Sequence, residues 1–313
     1  MRNAFAQELT RIAAENNEVV LLSGDIGNRL FDKFKDVAAK RFFNCGVAEA
    51  NMIGAAAGLA MCGLRPIAYT ITPFITYRCL EQIRVDVCYH NVPVVIVGTG
   101  AGLSYASLGG THHSLEDIAM LRVLPNMTVI CPGDAHEVRL ALREALKLDG
   151  PAYIRIGKKG EPLVHPEEPK FKIGKGIIVR QGTDVCILST GNTLPLAVEC
   201  ADELQRQSVS SRVVSFHTVK PLDEELLAEA FSEFPVVVTI EEHSMLGGFG
   251  SSIAEWLSDR KEVRGELLRV ATEDRFLHET GGQKVARQNF GLTCEQIVPR
   301  ILNSLVGKST KVS

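Results

Sequence analysis

The stretch VPVVIVG at residues 92–98 is almost wholly apolar and β-branched, with no polar alternation. Such a run has no side to turn to water, so it reads as a strand covered on both faces, as in a parallel sheet flanked by helices. Runs of the same kind recur outward from it: VVLL at 19–22, PIAYTIT at 66–72, MTVI at 127–130 and AYIRI at 152–156, with segments of helical period between them. Strand and helix signals in alternation predict an open α/β fold. The first helix is legible from Phe5, Leu9, Ile12 and Ala13, which share one face at i, i+4, i+7 and i+8 and predict a helix lying on the sheet.

Residues 158–175, KKGEPLVHPEEPKFKIGK, break this pattern with proline, glycine and charge, as an interdomain linker does. A second series follows: GIIV, DVCILSTG, an amphipathic run from Leu194 to Leu204, SRVVSF, DEELLAEAF, PVVVTIEEH, a helix opening at GGFGSS, LLRVAT and a helix around 294–306. The expected organisation is a first domain at 1–160, a linker at 161–177 and a second domain at 178–313, each an open, mostly parallel sheet. The 313 residues and 45% hydrophobic composition suit two domains, because one core rarely grows beyond roughly 250–300 residues. No short internal repeat or low-complexity tract interrupts them.

Lysine and arginine number 34 against 37 acidic residues, for a net charge of -3. That balance gives no bulk attraction to nucleic acid or an anionic membrane and suits an enzyme of small molecules. No apolar run reaches the roughly 18 residues of a membrane span, and Met1, Arg2 and Asn3 do not open a leader peptide, so a cytoplasmic location is expected. The eight cysteines lie mostly in apolar runs without Cys-x-x-Cys spacing and are expected to be reduced and buried.

Four segments carry candidate chemistry. NCGVAEANMIGAAAGLAMCG at 44–63 sets one carboxylate, Glu49, at the start of a helix otherwise poor in charge; alone, it would serve the helix dipole. Phe74 follows 25 positions later and Tyr77 three beyond it; alone, they would suit a core, one helical turn apart. His112 and His113 sit in SLGGTHHSLED, a glycine-flanked loop with no third metal ligand near in sequence. Asp25 in LLSGDIGN lies at a strand's carboxyl end, where open α/β sheets bind ligands; alone, it would be a helix cap.

Taken together, GVAEANMIGAAAGLA (46–60), LRPIAYTITPFITY (64–77) and THHSLEDIAMLRVLPNMTVICPGD (111–134) resemble the pyrimidine-binding domain of transketolase and its relatives, the 1-deoxyxylulose-5-phosphate synthases and the beta subunits of 2-oxo-acid dehydrogenases. KPLD (220–223) and EEHSMLGGFGSSIAE (241–255) resemble that family's C-terminal domain. The resemblance implies thiamine diphosphate as cofactor, with the Glu49 carboxyl sharing a proton with N1′ of the aminopyrimidine. Such a carboxyl must hold a proton near neutral pH, which desolvation would favour. It further implies that Phe74 stacks on the pyrimidine, that Tyr77, Val47 and Asp25 complete the cofactor cleft, and that His112, with His113 beside it, faces the substrate. The family's further aromatic falls on Ile71.

Several substrate contacts depart from the family pattern. Arg2 and Arg155 match phosphate-binding arginines, which suits an anionic substrate end, but the family serine is Arg29 and a family histidine is Gly100. The acidic residue that meets a sugar hydroxyl is Leu108, four positions before His112. This predicts an atypical sugar, modified, deoxy or differently charged. The Gly-Asp-Gly and asparagine signature that holds Mg²⁺ against the diphosphate is not in the sequence. The resemblance therefore implies a partner, the N-terminal diphosphate-binding transketolase subunit, which supplies the Mg²⁺ ligands, with two copies of each chain. The expected reaction is transfer of a two-carbon ketol unit from a ketose to an aldose; a dehydrogenase beta subunit, a deoxyxylulose-phosphate-synthase-like enzyme and a non-catalytic scaffold are the alternatives.

Overall fold

The computed structural model describes residues 1–27, 29–260 and 264–309. Among the described residues twelve strands form two sheets. The first half supplies β1 (Val19–Ser23), β2 (Phe42–Asn44), β3 (Arg65–Ile71), β4 (Val95–Thr99), β5 (Thr128–Ile130) and β6 (Ala152–Ile156). The second supplies β7 (Ile177–Arg180), β8 (Val185–Ser189), β9 (Ser211–Ser215), β10 (Thr218–Lys220), β11 (Val236–Ser244) and β12 (Glu266–Thr272). The first sheet runs β10-β5-β6-β4-β3-β1-β2 and the second β12-β11-β8-β9-β7. Pairing is parallel except where β10 joins β5 and β7 joins β9.

All five residues of β1, β4 and β6 are buried, as continuous apolar runs require in a sheet covered on both faces. The helix Arg2–Glu15 covers one face and stacks Phe5 on Tyr69 of β3 at 5.4 Å between ring centres. Ala- and Gly-rich Glu49–Met61 covers the other face through Met52, Ile53, Ala56, Ala57 and Ala60.

The two halves share their interior. Strand β10, three residues of the second half, pairs with β5 of the first. In return Leu103, Ala106 and Leu115, from the loop after β4, pack into the apolar cluster of the second sheet. Six of the eight cysteines are buried, but Cys62 is exposed and Cys45 half-buried, which corrects the expectation for those two: both lie at the margins of the helix Glu49–Met61 rather than in a strand. No helix among the described residues is long and apolar enough to cross a membrane.

Candidate active site

Strand register builds the site. The pairs Ser23 with Asn44 and Tyr69, and Thr99 with Ile71 and Ile156, align the carboxyl ends of β1, β2, β3, β4 and β6 along one edge. From β1 the chain moves outward to β2 and then back across to β3. This reversal of direction leaves a crevice at the carboxyl edge, the usual ligand position in open α/β sheets.

Three expected residues meet there. Glu49 opens its helix and is only 7% exposed. Phe74 lies on the short helix Thr72–Thr76, which Thr72 anchors by donating from Oγ1 to the Thr99 carbonyl at 3.1 Å. His112 ends the loop's last 3₁₀ turn with its ring edge-on to Phe74, 5.1 Å between centres. A fourth residue, which sequence reasoning missed, joins them. Arg78 donates from Nη1 to both Glu49 oxygens, at 3.3 and 3.4 Å, while its guanidinium lies 4.2 Å over the Phe74 ring. Its spacing of four from Phe74 was the available signal.

Burial, then repulsion from His113 and Arg78, holds His112 below the ordinary histidine value of 6.5. The ring is therefore neutral at neutral pH and can donate a hydrogen bond without bringing a charge. Tyr77 donates to Glu116 at 2.6 Å, which ties the Phe74 helix to the far end of the His112 loop. Asp25 accepts from Asn44 Nδ2 at 3.1 Å, and its amide donates to the Gly46 carbonyl at 3.0 Å, so the turns after β1 and β2 are joined. Val47, next in that turn, is 78% exposed.

The structure places the other expected residues around this crevice and its loop. Arg155 is 1% exposed and donates from Nε to Asp117 and from Nη2 to the Ser114 and Glu242 carbonyls. His113 is buried, and its Nε2 donates to the Ala106 carbonyl at 3.2 Å, shaping the loop from within. Arg29 is exposed on the turn after β1. Arg2 keeps its Nε buried without a hydrogen-bond partner. Gly100 is more than a lost histidine: at φ +86°, any Cβ there would lie 2.1 Å from the Tyr105 ring. Tyr105 fills that space, 6.2 Å from His112 between ring centres, with Lys158 Nζ 5.0 Å over its own ring. Leu108 is 53% exposed at the loop tip.

Residues 1–161 match the family described as transketolase, pyrimidine binding domain, and residues 174–297 match the transketolase C-terminal domain. The chain belongs to the transketolase family. It is 36% identical to the 6-deoxy-6-sulfo-D-fructose transketolase subunit of a Clostridium species, over 95% of this chain and 92% of that one. It is 33% identical to an apulose-4-phosphate transketolase subunit from Phocaeicola vulgatus, over 82% and 83%. A solved structure described as a split gene transketolase, inactive beta4 tetramer, superposes with a TM-score of 0.88 at 35% identity, covering 97% of each chain. Transketolases depend on thiamine diphosphate, and the residues of the crevice suit its pyrimidine end, since a flat heterocycle takes an aromatic ring such as Phe74 to stack on and a buried carboxyl such as Glu49 for a ring nitrogen. Arg78 spans both groups, with its side chain 51% exposed. Among the described residues no three His, Cys, Asp or Glu side chains gather as a metal site.

Proposed function

We propose that this chain is the pyrimidine-binding subunit of a split transketolase that transfers a two-carbon ketol unit from an atypical, anionic ketose to an aldose. The observation that carries the reading is the meeting of Glu49, Phe74 and His112 at one crevice. Bound thiamine diphosphate supplies a nucleophilic carbon and an electron sink for the transferred unit. Glu49 shares a proton with the pyrimidine nitrogen, Phe74 orients the ring, and neutral His112 donates to the substrate oxygen on which negative charge develops. Asp25, Val47 and Tyr77 line the same cofactor cleft.

The diphosphate and Mg²⁺ are held by an N-terminal partner subunit, in an assembly of two copies of each chain. The relative described as an inactive tetramer of beta chains supports this need for a partner. Eight unpaired cysteines suit a reducing, cytoplasmic setting.

Two relatives are named for 6-deoxy-6-sulfo-D-fructose and apulose 4-phosphate, ketoses that carry a sulfonate or a phosphate. This chain offers Arg2 and Lys158 to an anion, with apolar Leu108 and the Tyr105 ring on the substrate's wall. Turnover of xylulose 5-phosphate and ribose 5-phosphate at ordinary transketolase rates would contradict the atypical sugar. Decarboxylation of pyruvate with no sugar requirement, or ketol transfer by the chain alone, would contradict the split transketolase reading. Leu108→Asp restores an acceptor for a sugar hydroxyl. It is expected to raise kcat/KM for sugar phosphates about tenfold over the unaltered chain, the size of one hydrogen bond to a charged group. Steady-state assays of the complete enzyme with and without the substitution measure that ratio.

A further inference from the structure

One carboxylate of the second sheet grips the His112 loop. Glu242, on β11, is 1% exposed. Its Oε1 accepts from the Leu103 amide at 2.6 Å, at the start of the loop, and from Asn192 Nδ2 at 3.2 Å. Gln283 donates to both of its oxygens at 3.0 and 3.1 Å, and Arg287 donates from Nε to Oε2. The far end of the loop is held through the same residue's backbone: Arg155 donates to the Glu242 carbonyl at 3.0 Å and to the Ser114 carbonyl at 2.7 Å. Ser114 closes the base by donating its amide to the Gly102 carbonyl at 2.9 Å.

The approach is close enough to constrain the sequence. Gly102 has φ +60°, and a Cβ there would lie 2.5 Å from Glu242 Oε1. Leu103, Ala106 and Leu115 seal the grip by packing into the second domain's apolar cluster. Beyond this base, residues 107–111 are exposed, and His112 returns toward Phe74. A carboxylate accepting several donors in a dry environment fixes geometry more firmly than a neutral acceptor does.

We infer that Glu242 is a positioning residue: through Leu103 and the base of the loop, the second domain sets where His112 stands over the pyrimidine site. The inference rests on the proposed role of His112 at the substrate, but the grip itself can be read without activity. Gly102, at the start of the loop, and Arg155 of β6, which holds its far end at Ser114, are parts of the same clamp.

The test combines hydrogen exchange on the chain with turnover of the complete enzyme. Glu242→Ala is expected to speed amide exchange across residues 101–115 by about tenfold or more, as release of a carboxylate-held amide predicts, with the helix Glu49–Met61 unchanged. In the complete enzyme kcat should fall by a similar factor while the affinity for thiamine diphosphate is kept. Gly102→Ala displaces the same carboxylate from the loop side and should give the same loop-limited increase, so it carries the test if Glu242→Ala does not fold. Unchanged exchange in the loop, or an equal rise in β3 and β4, would overturn the inference. A wild-type enzyme without ketol transfer would sink the functional reading alone, since the exchange pattern decides the clamp by itself.

Discussion

Glu49→Gln is expected to reduce turnover of the complete enzyme by about 10²- to 10⁴-fold, the range that a positioned proton-transfer group contributes. Glutamine keeps the size and buried position of the side chain but cannot share a proton with a ring nitrogen as a carboxyl does. The fold should barely respond. The one ion pair lost is that with Arg78, whose side chain is half exposed, and pairs of that kind are worth about 0–1 kcal/mol. Cofactor binding should persist, because Phe74 still offers its ring. The discriminating measurement is single-turnover kinetics beside cofactor titration by fluorescence or circular dichroism. Turnover equal to wild type would return the scaffold reading, in which the crevice is a relic of the fold.

Arg155→Met is expected to destabilise the chain by about 3–5 kcal/mol, the cost of leaving one partner of a buried ion pair alone. Arg155 and Asp117 are 1% and 0% exposed and meet at 2.7 Å from Nε to Oδ2. Tyr153, which donates to Asp117 at 2.6 Å, is kept in the variant, but the carboxylate loses its Arg155 counter-charge and two buried carbonyls lose their donor. Replacing Asp117 by leucine as well should recover much of the loss, since an apolar pair of similar volume carries no desolvation cost. Denaturant unfolding of the three proteins measures it.

The same pair sets a pH signature. Burial pushes the Asp117 carboxyl up, but the charge of Arg155, then that of His243 and the hydrogen bonds from Arg155 and Tyr153, hold it below its ordinary value of 3.8. A folded value below the unfolded one means that its stabilisation is complete above the unfolded pKa and is lost as pH falls through the folded pKa. The gap between wild type and Arg155→Met should therefore be widest near neutrality and close as the pH drops below about 4.

Much of the fold is legible in the chain because a strand buried on both faces cannot hide its composition. The runs at 19–22, 66–72, 92–98, 127–130 and 152–156 became β1, β3, β4, β5 and β6. Phe74 and His112 were legible as neighbours of Glu49 only through family spacing, since Phe74 alone suited a core and His112 a loop, and Arg78 was not read at all. The burial of Arg155 was not legible, because its neighbours in AYIRI read as strand while its charge reads as surface. In a strand whose five residues are all buried, a guanidinium must find its partners inside the protein.

Composition and periodicity by themselves determined the α/β class, the two-part organisation and the carboxylate at the helix start, because these depend on local apolar patterning. Only the tertiary structure decided that β10 would cross into the first sheet, that Tyr105 would fill the room beside Gly100, and that Glu242 would reach the His112 loop 139 residues away. The first and last of those contacts join residues far apart in the chain. Their energies come from desolvation and close packing, which no single stretch of sequence carries on its own.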